Sequence, residues 1–464
     1  MGRLFFFRPK SHAKIGLRSP SGLYFIPLLS SLYVCSTQAK RPVIAQRDGM
    51  TKSPRILLYS HDTYGLGHLR RTLNIAGQLA RDLPRASQLI LTGSMVAGAF
   101  SLPPHLDLIK LPALSKRSNG SYKARALPLS LDEIMAWREQ MILQAVIAFE
   151  PDLVLVDKTP AGVQGELLPT LHYLRTWRPE TRLVLGMRDI EDAPEATRHE
   201  WAANAIRWLH EEVYDCILLY GQREVFDPVR EYAMSPRAAA KLVECGYLDR
   251  VTPARSREVV RRELGADDRP LVVVTVGGGG DGFDLIKTAL DALASAPALA
   301  GIQCLVVTGP LMARDRRDLL RAAAQAEGLT LMEFTPDLVS YIAAADLVVS
   351  MAGYNTVCET LSLGVRALLV PRVRPRAEQR IRAERLAQRG CARVLLPEDL
   401  SPQRLANEIV AALATPPPEV RLNFDGLARV SQAIAELLCS QPATVRGNGQ
   451  QPAVEIPAPG RITL

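Results

Sequence analysis

The chain has 464 residues, 47% of them hydrophobic and 22% charged, which argues for a globular protein of two or three domains and against both a disordered polymer and an integral membrane protein. A formal net charge of +8 favours anionic partners such as sugar nucleotides, lipid phosphates or a membrane surface. Aromatic residues are only 6% and no nucleic-acid recognition motif is present, so no nucleic-acid partner is expected.

The first fifty residues stand apart. Leu4-Phe5-Phe6-Phe7 and the run Leu23 to Leu29, interrupted by Pro27, are too short to span a bilayer. They read as an N-terminal extension, either a weak signal-like segment or residues upstream of a true start at Met50. From Arg55 strands and helices alternate. Short apolar runs at Ile56–Ser60, Gln88–Thr92, Leu106–Leu111, Leu153–Asp157, Arg182–Met187, Cys216–Tyr220 and Lys241–Cys245 predict parallel strands, with helices over His68–Arg81 and Leu131–Phe149. Gly246 to Arg257 reads as a linker. Alternation then restarts with strands at Leu271–Val276, Cys304–Thr308, Thr330–Phe334, Leu347–Ser350, Ala367–Val370 and Ala392–Leu395. The fold class is therefore doubly wound α/β, with a first domain over 51–248, a second over 249–438 and a Pro-, Gly- and Gln-rich tail over 439–464 expected to be disordered.

Seven scattered cysteines with no C-x-x-C pair argue against a disulfide framework or a zinc site and point to a reducing, cytoplasmic compartment. No H-E-x-x-H and no D-x-D occurs, so neither a required metal nor a cofactor is expected.

Several turns carry chemistry. Gly277-Gly278-Gly279-Gly280-Asp281-Gly282 joins an all-apolar strand to a helix, where backbone N–H groups can approach a diphosphate and the helix start favours its charge. The same residues satisfy G-x-G-x-x-G, so a dinucleotide site is the rival, although the next strand ends Val307-Thr308-Gly309 without the acidic ribose partner. A tight turn with no ligand is the plain alternative. The stretch Ala345 to Ser350, Met351-Ala352-Gly353-Tyr354-Asn355-Thr356 and Glu359 reads as a buried strand, a small-residue turn and a helix start, with a carboxylate suited to ribose hydroxyls. Thr356 and Glu359 also fit a capping box, which would account for the carboxylate structurally.

The first turn, His61-Asp62-Thr63-Tyr64-Gly65-Leu66-Gly67-His68, offers glycines where backbone must approach substrate and a histidine able to act as base. His68 is the preferred general base, Asp62 its competitor, and Asp157 at a strand end a third candidate. An arginine-rich run from Arg366 to Arg393 surrounds Glu378-Gln379; most of it reads as a solvated helix face, with a subset near Pro371 suited to a diphosphate.

Together the Gly277–Gly282 loop, the Phe334-Thr335-Pro336-Asp337-Leu338 stretch, the Ala343–Ser350 strand, Gly353 to Glu359, Leu363-Gly364 and Pro371 through Gly390 resemble the C-terminal domain of MurG-like glycosyltransferases, family 28. The resemblance implies the GT-B fold, two Rossmann-like domains facing across a cleft. It also implies metal-independent, inverting transfer of a hexose or N-acetylhexosamine from a UDP-sugar to an acceptor hydroxyl. By it Glu359 would bind ribose, Gly278 to Gly280 would face the diphosphate, Gly277, Gly353, Asn355 and Thr356 would complete the nucleotide-sugar site, Glu378 and Gln379 would address the sugar, and Tyr64, Gly65 and Gly67 would form the acceptor-side loop. The chain departs from the family's consecutive glutamines at Glu378-Gln379, and has Met351-Ala352-Gly353 where MurG has Arg-Ser-Gly, so its donor sugar can differ. Alternatives are a UDP-sugar hydrolase or 2-epimerase of the same fold, and a non-catalytic sugar-nucleotide-binding protein. The acceptor is a glycan, a lipid-linked molecule or a small metabolite, and peripheral contact with the inner membrane face is compatible with the basic charge.

Overall fold

The computed structural model describes residues 53–61, 67–116, 121–248, 252–419 and 421–440. The N-terminal extension and the tail beyond 440 lie outside them. Two parallel sheets organise the chain. The first contains β1 (Arg55–Ser60), β2 (Ser87–Thr92), β3 (Leu106–Lys110), β6 (Leu153–Asp157), β7 (Arg182–Arg188), β8 (Cys216–Tyr220) and β9 (Leu242–Glu244), in the order β3-β2-β1-β6-β7-β8-β9. Between β3 and β6 lies an antiparallel hairpin, β4 (Leu114–Lys116) and β5 (Tyr122–Ala124). The second sheet contains β10 (Leu271–Thr275), β11 (Gln303–Val307), β12 (Leu329–Met332), β13 (Leu347–Ser350), β14 (Arg366–Leu369) and β15 (Arg393–Val394), ordered β12-β11-β10-β13-β14-β15.

The sequences of the central strands dictate this burial. In β1 the residues Leu57 and Tyr59 pack on one face of the sheet, Ile56 and Leu58 on the other, as a period of two requires. β10 repeats the pattern, Val272 and Val274 facing one core and Leu271 and Val273 the other. Strands buried on both faces must be covered on both, and helices do so.

In each sheet the strand order reverses beside the first strand, between β1 and β6 and between β10 and β13. Such switch points open a crevice at the C-terminal strand ends, where α/β proteins bind ligands. The expected strands are all present with ends shifted by a few residues; the hairpin is an addition, its three-residue strands being too short to register a period.

Chain order and packing part company at the end. The helix Gly426–Cys439 follows the second sheet in sequence but packs against the first: Leu427, Val430, Ala433 and Ile434 share a core with Leu69, Ile75 and Leu79 of the helix Gly67–Asp82. Its entry is pinned to the exit of the first sheet, where Tyr247 N donates to Asn423 O (2.8 Å), Gly426 N donates to Tyr247 O (3.1 Å), and Leu248 and Asp425 form an antiparallel bridge.

Candidate active site at the seam between the lobes

Parallel neighbours β1 and β6 end side by side, so the helix that follows β1 starts next to the last residue of β6. His68 and Arg71, three residues apart on that helix, share a face. Both converge on Asp157. His68 Nδ1 lies 2.6 Å from Asp157 Oδ2, and Arg71 donates from Nε to Oδ1 (2.8 Å) and from a terminal nitrogen to Oδ2 (2.7 Å). Burial alone would raise the Asp157 pKa; the opposing Arg71 charge and the His68 contact hold it well below the usual carboxylate range. The carboxylate is therefore ionised and is placed to accept from a protonated His68 Nδ1, a nitrogen that also lies 2.9 Å from a terminal nitrogen of Arg71. Asp62, Tyr64 and Gly65 lie outside the described residues.

A second polar knot holds the segment after β6. Arg138, from the helix Leu131–Phe149, donates to both oxygens of buried Glu166 (2.5 and 2.7 Å), and the Tyr59 hydroxyl donates to the same carboxylate. Next to Asp157, Lys158 sits 3.6 Å from Glu191. Burial, with help from Arg188 and against Glu191, pushes the Lys158 ammonium down to about 8.

On the second lobe, the loop after β10 divides its glycines between two duties. Gly279 has φ of 92°, and a Cβ there would meet Thr308 O at 2.2 Å, so packing against the neighbouring loop already requires it. Gly277 has φ of 66° with nothing within 4 Å of a Cβ; it is exposed, and Gly278 and Gly280 are half-buried. The open side of the loop is therefore the one on which Gly277 lies.

After β13 the helix Tyr354–Ser362 has Gly353 as its N-cap with no capping side chain. Thr356 lies inside the helix, so the capping-box alternative does not apply, and Glu359 stands in the second turn rather than the first. Glu359 is fully buried, 3.2 Å from Arg70 of the first lobe, and Asn355 Nδ2 donates to Gly67 O (3.0 Å). The two helix starts thus face each other across the seam.

Glu378 and Gln379 open the helix Glu378–Gln388. Arg372 organises them: its side chain contacts Glu378 (2.7 Å) and Asp281 of the glycine loop (3.0 Å), and its backbone N–H donates to Gln379 Oε1 (3.1 Å). This is the one arginine near Pro371 that reaches the glycine loop among the described residues.

Other arginines of the run close the seam instead of facing solvent. Arg382 makes a buried bidentate pair with Asp189 (2.7 and 2.6 Å) and donates to Ala352 O (3.0 Å). Arg376 pairs with Glu200 (3.1 Å), and the Ala377 N–H donates to Asp192 (2.7 Å). Tyr354 is buried between the guanidinium groups of Arg71 and Arg382, each 5.7 Å from its ring centre. Arg70, Arg71, Asp189, Lys158 and Arg382 were not singled out by sequence; the His68-to-Arg71 spacing was the signal available for Arg71.

Residues 272–421 match the glycosyltransferase family 28 C-terminal domain. The UDP-N-acetylglucosamine–N-acetylmuramyl-(pentapeptide) pyrophosphoryl-undecaprenol N-acetylglucosamine transferase of Paenarthrobacter aurescens is 34% identical over 188 residues, 40% of this chain and 47% of that protein. The enzyme of the same name from Corynebacterium efficiens is 30% identical over 195 residues, 42% and 51%. The chain thus spans about half the length of the curated relatives it matches. In fold it is similar to the UDP-GlcNAc 2-epimerase from Neisseria meningitidis bound to UDP-GlcNAc (TM-score 0.54, 14% identity, covering 83% of this chain and 99% of that one) and to the spinosyn forosaminyltransferase SpnP (0.53, 15%, 84% and 96%). The two Rossmann-like lobes expected of a GT-B protein are present in the structure. The second lobe is thus similar, over residues 272–421, to the glycosyltransferase family 28 C-terminal domain, and the fold of the whole is that of GT-B proteins.

Proposed function

We propose that the protein transfers a hexose or N-acetylhexosamine from a UDP-sugar to an acceptor hydroxyl, with inversion and without a metal. The observation that carries this reading is the juxtaposition, across the seam between the lobes, of the helix start that bears His68, paired with Asp157, and the helix start that bears Asn355 and Glu359. The acceptor O–H gives its proton to His68 Nε2, and Asp157 stabilises the imidazolium that forms. The acceptor oxygen bonds to the anomeric carbon as the bond from that carbon to the β-phosphate oxygen breaks, and UDP departs with the electron pair. Backbone N–H groups of the Gly277–Gly282 loop and the start of the helix Phe283–Ser295 receive the diphosphate charge. Glu359 is the ribose partner, exchanging Arg70 for the two hydroxyls, and Glu378 with Gln379 addresses the sugar. The relatives' printed names, which specify an N-acetylglucosamine transfer to a lipid-linked acceptor, support this donor class.

A thermal-shift panel with UDP, GDP, dTDP, CMP and NAD tests the reading. Selective stabilisation by UDP, reduced about tenfold in apparent affinity by Glu359→Gln, is expected from losing a charge-assisted hydrogen bond. Stabilisation by NAD alone would make the glycine loop a dinucleotide site and overturn the transfer reading.

A further inference from the structure

Next along the chain from Asp157, Lys158 lines a cavity of about 100 Å³ in the first lobe, to which Arg376 of the second lobe also contributes. His61 lines the cavity too, while its ring stands edge-on to His68 with centroids 5.2 Å apart. Three of the lining residues are at least nine-tenths buried and carry a polar atom with no hydrogen-bond partner: His61 Nδ1, Thr197 Oγ1 and His210 Nε2. An unpartnered buried polar atom costs roughly 1–3 kcal/mol, and native proteins seldom gather several around one void without use for them.

The backbone around this cavity is also unusual. Lys158 (φ 69°) and Gln164 (φ 52°) line it in the left-handed region, Ala205 (φ 54°) sits between the lining residues Asn204 and Ile206, and His210 belongs to a π-helical turn over Leu209–Val213. Such conformations cost energy and concentrate where a binding surface needs them.

The chemistry of the walls selects the ligand. Lys158 is opposed by Glu191 and Arg376 by Glu200, so the cations are already neutralised and an anion would meet two carboxylates. Burial holds both histidines neutral, His61 well below its usual value and His210 down to about 3. Neutral imidazoles, a threonine hydroxyl, two amides and two carboxylates are partners for hydroxyl groups. The walls between them, Trp201, Tyr122, Met187 and Ile206, are apolar.

We infer that this cavity seats the acceptor, and that the acceptor presents to it an uncharged, hydroxyl-rich ring such as a sugar or cyclitol, not a phosphate-bearing head. This rests on the transfer reading above and names its acceptor class. The test is saturation-transfer NMR on the full chain with UDP present, using methyl glucoside, methyl galactoside and myo-inositol as neutral probes and farnesyl diphosphate as the charged one. Binding of a neutral ring, weakened about tenfold by Thr197→Val and by Asn204→Leu while UDP affinity stays within twofold, is the expected result. Retained UDP binding shows that the variants are folded. Signal from farnesyl diphosphate alone, or neutral-ring binding indifferent to both substitutions, overturns the inference. UDP binding with no ring binding defeats this inference only; ring binding without UDP binding defeats the transfer reading and with it the acceptor role, leaving only a site for neutral rings; failure of both defeats both.

Discussion

At the scale of single residues, the Asp157 carboxylate joins the proposed base to a buried ion pair. His68→Ala is expected to lower kcat by about 10²–10⁴-fold, the range for a general base, while UDP affinity is retained; steady-state kinetics beside a UDP titration would read both. If only binding falls, His68 is not the base. Asp157→Asn leaves buried Arg71 without its counter-charge and is expected to cost about 3–5 kcal/mol at neutral pH by urea unfolding. The pH dependence has a definite sign. The unfolded carboxyl takes up its proton near pH 3.8 and the folded one only at much lower pH, so the pair's stability is complete above 3.8 and is lost as pH falls below it. The variant's acid limb should accordingly be shallower than that of the parent. His68 and Asp157 were legible from sequence because each ends or follows an apolar strand. Arg70 and Arg71 were not, since two arginines on an amphipathic helix look like solvated surface until another lobe lies against them.

Among the elements, the glycine loop shows why a motif underdetermines its use. The sequence presents five glycines between Gly277 and Gly282 as one signal, whereas the structure separates a packing glycine from an open one. Gly279→Ala must push Cβ against the Thr308 carbonyl, so its cost should well exceed the ~1–2 kcal/mol of a left-handed backbone alone. Gly277→Ala should cost no more than those ~1–2 kcal/mol yet lose more of the UDP-induced stabilisation, because its Cβ enters only the space a diphosphate would use. Melting curves of both variants with and without UDP would show whether the division holds. Strands such as β10 were readable because five consecutive buried residues leave few alternatives. The hairpin and the Gly353 cap were not, because one depends on contacts with Ile134 and Val163 far along the chain and the other on backbone geometry with no side-chain signature.

For the whole molecule, the seam is held by groups far apart in the sequence, its buried Asp189–Arg382 pair joining positions 193 residues apart. Asp189 and Arg382 are both nearly inaccessible, and removing either leaves a buried charge alone. Arg382→Met and Asp189→Asn are each expected to cost about 3–5 kcal/mol, with the double variant costing less than their sum; a double-mutant cycle in urea measures the coupling, and strict additivity would show the pair does not bind the lobes together. No spacing rule could have announced that contact, since it exists only once two sheets are in place. The bridge between Leu248 and Asp425 carries a different consequence. Because the chain leaves the first lobe and re-enters it at adjacent points, the second lobe is an insertion within a discontinuous first lobe. On the ribosome, the apolar face of the helix Gly67–Asp82 must wait for Leu427 to Ile434, which follow the whole second sheet in the chain, before it is covered. The second lobe therefore has the opportunity to mature first, and the half of the candidate site bearing His68 is finished only after it.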